Sequence, residues 1–162
     1  MWSTFETLAR WTVWANDRIY GACAQLSPDE YFLERPCAFG SIHNTLNHLL
    51  ATDRVWLGRI SGEGHNIPSL DHIVCQDFES LRAARLAEDD RLIRIISSVV
   101  RSNPGGDLDY VSMAGKPQRL PHQLILSHFF IHHAHHRGQV HTLLSQTPIA
   151  PPALDITYFP LG

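Results

Sequence analysis

Residues 128–144 read HFFIHHAHHRGQVHTLL and place six of the chain's eleven histidines between positions 128 and 141. The stretch has no proline and its apolar residues recur at spacings of three and four, so it reads as one long helix. Residues four apart on a helix stack above one another. His128 with His132, His132 with His136 and, three apart, His132 with His135 are therefore candidate pairs for one metal ion. Leu124, Ile131, Val140, Leu143 and Leu144 mark the expected buried side, with 128, 132, 135, 136 and 139 on or beside it. His133 and His141 are expected further round, and Arg137-Gly138 is expected outside the dry interior.

Working outward, this helix starts near Pro121, a good first-turn residue, and runs to about Gln146. Before it, DLDYVSMAGKPQR (107–119) places β-prone residues on either side of Ala114-Gly115 and predicts a short two-stranded ribbon. A third helix is expected from about Gln76 to Ser102, ended by NPGG, with its charged residues on an exposed outer face. A second spans about Ser41–Ser61, with Ser41 as N-cap and Ile42, Leu46, Leu49, Leu50, Val55, Trp56 and Ile60 as apolar positions. The first carries Phe5, Leu8, Trp11, Ile19, Ala22 and Leu26, and stops near SPDE, where Pro28 follows a serine. The tail TPIAPPALDITYFPLG has four prolines and cannot be a regular helix; Asp155 in it is expected to tie the tail to the bundle. The expected fold is an all-α, single-domain four-helix bundle over residues 1–162, with one long, partly structured connection and a short β-ribbon before the last helix.

The composition narrows the function. At 162 residues with 44% hydrophobic content, the chain suits one domain. Thirteen Lys and Arg against sixteen Asp and Glu, a formal charge of -3 without a basic run, disfavours nucleic acid as a partner. No run of about 18 apolar residues and no leader pattern occur, so no membrane span and a cytoplasmic location are expected. Cys23, Cys37 and Cys75 are odd in number and form no CxxC, which fits free thiols. GxSxG, CxxCH and GxGxxG are all missing, which sets aside a serine hydrolase, a c-type haem and a dinucleotide site.

A metal centre is the better use for this much imidazole. An inward-facing imidazole without a partner costs about 1–3 kcal/mol, and a divalent ion satisfies several at once. His48 is the histidine outside the last helix that periodicity sets on an interior helical face; one histidine among leucines is ordinarily a core residue, but the HxxxH pairs reverse that preference. Three imidazoles leave a coordination position open, as catalytic zinc sites do. His43, His65, His72 and His122 are expected at caps or loops, in solvent, and Trp56 in the core.

The segments WTVWANDRIYGACAQLS, TLNHLLATDRVWL, HFFIHHAHHRGQVHTLL and PPALDITYF, in that order, resemble the DinB-like superfamily of metal-binding bundles. The HxxxHRGQ signature falls on His132 to Gln139. The resemblance implies His48, His132 and His136 as metal ligands, a long-crossover bundle and homodimers. It further implies a metal-dependent transferase or isomerase using a low-molecular-weight thiol cofactor; the open three-histidine site also admits a hydrolase, and zinc or nickel is the expected divalent metal, with a small molecule as substrate. Ile131 departs from the Asn frequent in relatives and bears on second-shell hydrogen bonding. Arg137 and Gln139 are candidates to orient a substrate carboxylate or the ligands, and His128 and His135 to shuttle protons. The alternative is a non-catalytic, stress-responsive metal or small-ligand binder.

Overall fold

The computed structural model describes residues 4–102 and 106–160. Four long helices form the bundle: α1 (Thr4–Cys23), α3 (Ile42–Ser61), α4 (Phe78–Ser102) and α5 (His122–Leu144). A five-residue helix, α2 (Pro28–Phe32), lies between α1 and α3, and an antiparallel hairpin of β1 (Asp107–Val111) and β2 (Pro117–Pro121) precedes α5. Helix α1 packs on α4 and α5, and α3 packs on the same two. The consecutive pairs α1/α3 and α4/α5 therefore sit across the bundle from each other, and both links between them cross it. One long crossover was expected; the structure has two, because the link from α1 to α3 crosses the bundle as well as the link from α4 to α5.

Local chemistry sets the element ends. SPDE, expected to stop the first helix, starts α2: Ser27 Oγ accepts from the Glu30 amide at 3.2 Å, with Pro28 in the first turn. Ser41 Oγ accepts from the Asn44 amide at 3.1 Å and caps α3. Gly62 closes α3 at φ 75°, a backbone conformation that glycine adopts without strain. Gly58 has a different task. A Cβ there would lie 2.0 Å from Gly64 O, so its bare backbone lets the loop after α3 fold back, with the Gly64 amide donating to Gly58 O at 3.0 Å. The hairpin turns at Ala114-Gly115, with Gly115 at φ 73°. The expected NPGG stop lies, except for Gly106, outside the described residues.

The core has two main parts, one around Ile19, Leu46, Leu50 and Leu143, the other around Leu57, Leu92, Ile96 and Phe129. The tail lies against α1: Trp11 Nε1 donates to Leu154 O at 2.9 Å and Arg18 Nε to Ala153 O at 3.1 Å. These contacts tie it down, while Asp155, expected to do so, is exposed. Cys23, Cys37 and Cys75 are free thiols. Trp56 is half-buried on the rim of the core, edge-on to Tyr110 and His128. No helix among the described residues is long and apolar enough to cross a membrane.

Helix α5 corrects the expected burial. Leu124 and Ile131 are 54% and 69% exposed, whereas His133 and Arg137 are 1% and 2% exposed. The helix packs on α1 and α3 together, so polar residues with partners on those helices share its interior with Phe129, Val140, Leu143 and Leu144, and Leu124 and Ile131 remain outside. His43, expected in solvent, is buried in α3, where Asn47 Nδ2 donates to its Nε2 at 3.2 Å and its Nδ1 contacts Tyr31 Oη at 3.1 Å. Helix α4 is not solvated all along its charged residues: Arg85, Glu88 and Asp89 are buried, and Leu86, read as an apolar position, is exposed.

Candidate metal centre

His48 on α3 meets His132 and His136 on α5, and one ring nitrogen from each lies within 4.8 Å of the others. His48 Nε2 is 3.2 Å from His136 Nε2, which is 3.1 Å from His132 Nε2. Helical stacking brings His132 and His136 together, and α3/α5 packing supplies the third ring. Phe39 stacks on His48 with ring centroids 4.1 Å apart and meets His136 edge-on at 5.4 Å, closing one side.

The hydrogen bonds fix where two of the protons sit. Leu70 O, 2.7 Å from His48 Nδ1, can only accept, so that nitrogen carries the hydrogen. His136 Nδ1 likewise donates to Gln139 Oε1 at 2.7 Å, while Gln139 Nε2 donates to His135 Nε2 at 3.3 Å. Burial lowers the pKa of His48 and of His136. Burial first, and then the neighbouring imidazoles, lowers that of His132 to about 3. All three rings are thus neutral at neutral pH. The Nε2 atoms of His48 and His136 are then both acceptors, set lone pair against lone pair at 3.2 Å. A proton from His132 can relieve at most one of the short contacts. A cation relieves them together, and two nitrogens on one tetrahedral zinc ion are separated by about 3.3 Å. The donor set therefore fits a divalent metal.

The other candidates divide. Gln139 is joined to the trio, since it holds His136 Nδ1. His135 is exposed and reaches the trio through Gln139. His128 is exposed, with its ring 5.6 Å from that of His132 and 5.2 Å from that of Trp56. Arg137 is not at the trio: it is buried against α1, with Cζ 4.5 Å from the centre of the Trp11 ring.

Behind the trio lies a group that the sequence reading missed. Arg137 Nη1 donates to Asn16 Oδ1 and to His133 Nδ1, both at 3.2 Å. With its Nδ1 accepting, His133 donates from Nε2 to Asp53 Oδ1. Asp53 Oδ2 accepts from Arg85 Nη1 at 2.6 Å, Arg85 Nε lies 3.0 Å from Asp89 Oδ1, and Asn16 Nδ2 donates to that oxygen at 2.9 Å. The six side chains close a ring that draws on all four long helices. Burial pushes Asp89 up to about 6 against the pull of Arg85. Burial also acts to raise Asp53, but His133 and Arg85 together hold it below the usual carboxylate range.

The signal for this ring was present as charge inside apolar stripes. Asp53 follows Leu46 and Leu50 and precedes Leu57 at three- and four-residue spacings, and Arg85 and Asp89 stand between Leu81 and Leu92 in the same way. The model of the DinB family matches residues 1–161. No curated protein matches the chain.

Proposed function

We propose that this chain, which belongs to the DinB family, is a divalent-metal enzyme whose ion is held by His48, His132 and His136. The observation that carries this reading is the convergence of two lone pairs, on His48 and His136, between which the neutral rings place no hydrogen. We take residues 1–162 as one domain, zinc or nickel as the ion, and a small-molecule electrophile as the substrate.

A divalent ion, when bound, is a Lewis acid that lowers the pKa of a thiol or water in its open position. The chain's own residues set the conditions for that chemistry. Leu70 O and Gln139 Oε1 hold two rings by their Nδ1 hydrogens, fixing tautomer and direction and raising ligand basicity. Phe39 excludes water from one flank, and His128 with Trp56 forms a wall on the side of His132. His135, exposed, accepts from Gln139 Nε2 and so holds that amide with its oxygen toward His136. The reaction class we favour is transfer or isomerisation with a low-molecular-weight thiol, or hydrolysis. A non-catalytic metal binder is the second reading, favoured by the way the trio braces α3 against α5 beneath Phe39.

The test is metal content by mass spectrometry on protein purified without tag or chelator, alongside His48→Ala, His132→Ala and His136→Ala. About one ion per chain, lost in each variant, is expected, followed by turnover that depends on an added thiol or on water alone. Full metal in all three variants would refute the site. Metal that raises the unfolding midpoint without any turnover assigns the binder role.

A further inference from the structure

Helix α5 presents a second lined surface. At 100° per residue, Ala134, Gly138 and His141 lie roughly 180° round the helix from His132 and His136. On that side α5, α1 and the C-terminal segment enclose a groove of about 1040 Å³. Phe5, Leu8, Trp11, Phe130 and Ile131 make its walls apolar. Ile131 is 69% exposed there, a large apolar side chain with nothing over it among the described residues. A groove of this size with few polar groups is the ordinary form of a small-molecule site.

Two polar groups of α5 line the same groove one turn apart, Arg137 and His141. Arg137 is 2% exposed; its Nη1 is committed to Asn16 and His133, while Nη2 is buried without a hydrogen-bond partner among the described residues. A buried cationic N–H that lacks an acceptor costs more than a neutral one, and an anionic acceptor gives the strongest available bond. Asp155 is the acidic residue on the lining and stands on the exposed tail, which keeps an anion to the α5 wall.

We propose that this groove is a second ligand site, separate from the histidine trio, for an amphipathic carboxylate. The head group bonds Arg137 and His141, and the apolar body lies along Phe5, Leu8, Phe130 and Ile131. Gly138 and Ala134 shape the space it fills. A Cβ at Gly138 meets nothing within 4 Å and Ala134 is exposed, so larger side chains at either position grow into the groove and leave the packing intact.

The experiment is calorimetric titration of the full metal-loaded chain with dodecanoate and with 1-dodecanol, both below micelle formation. Expected are saturable binding of the carboxylate, at least tenfold weaker binding of the alcohol, and at least tenfold weaker carboxylate binding by Gly138→Phe and by Ala134→Phe. Both variants are expected to keep the parent's melting temperature and metal content, and chelated protein to keep its carboxylate binding, which separates this site from the trio. No saturable binding, equal affinity for the alcohol, or affinity unchanged by both substitutions would overturn the proposal. So would a dimer in sedimentation that either substitution splits while the carboxylate fails to bind, because the groove would then belong to a second copy of the chain.

Discussion

His132 and His133 are neighbours on one helix and face two regions built on opposite terms. The ring around His133 carries its own counter-charges: each of Asp53, Arg85, Asp89 and Arg137 meets an opposite charge or a hydrogen-bond partner within the protein. The trio around His132 carries none, and its imidazoles turn their acceptors on one another. One region balances its charges within the protein, with an N–H of Arg137 left over on its outer side, and the other is short of a cation. Histidine content alone says nothing of this. What separates the two uses is the 100° between successive helical residues and the groups that α3 brings to each face.

The comparison breaks most visibly at Asp53. Asp53→Ala leaves Arg85 and His133 buried without their carboxylate, and a loss of about 3–5 kcal/mol is expected in urea unfolding of the metal-free protein. His48→Ala should act the other way round. Metal affinity is expected to fall by more than about 100-fold by competition titration, since a first ligand matters more than a supporting partner, whose loss costs 10–100-fold. The unfolding free energy of the metal-free protein should shift far less. Equal stability losses in the two variants would sink the distinction.

Gln139→Ala sharpens it further. The His136 ring loses its Nδ1 acceptor, and metal affinity is expected to drop by about tenfold with the Asp53 ring untouched. Acidification gives the smallest and broadest effect. Burial lowers the pKa of His43, His48, His133 and His136, and burial with imidazole neighbours brings His132 to about 3. Each contributes stability that is present above about pH 6.5, the unfolded value, and lost as pH falls below it. Asp89, raised to about 6, has the opposite sign: its contribution is present below its unfolded value of 3.8 and lost as pH rises through about 6. Each proton of difference is worth about 1.4 kcal/mol per pH unit, and five histidines outweigh one carboxyl. Metal-free protein should therefore lose stability from pH 6.5 to 5, and a rising melting temperature over that interval would contradict this balance.

The bundle and the HxxxH pairs were legible because their signals are local, whereas the choice of His132 with His136 among those pairs came from the family resemblance. Ser41, Gly62 and Ala114-Gly115 act within a few residues of themselves, and HxxxH is a one-turn relation. His48 stood out as a polar residue on an apolar face. The facing of α5 was not legible: its apolar residues are spread around the helix, and what buries Arg137 is Asn16, 121 positions away. Asp53, Arg85 and Asp89 were passed over for the same reason, since a charge in an apolar stripe announces that it has a partner without saying which. Helix α2 hid because five residues carry too little periodicity, and its serine-proline start reads equally well as a stop.

Crossing the bundle twice also orders events during synthesis. Helices α1, α3 and α4 leave the ribosome before α5, the element that packs against both α1 and α3. Until α5 arrives, Asp53 and Asp89 share the single guanidinium of Arg85, and His48 has no second imidazole to work with. A chain cut short before residue 122 therefore lacks the helix that packs on α1 and α3 and brings His133 to Asp53 and Arg137 to Asn16. Such a fragment is a substrate for proteolysis, so the last helix to be made certifies the whole chain.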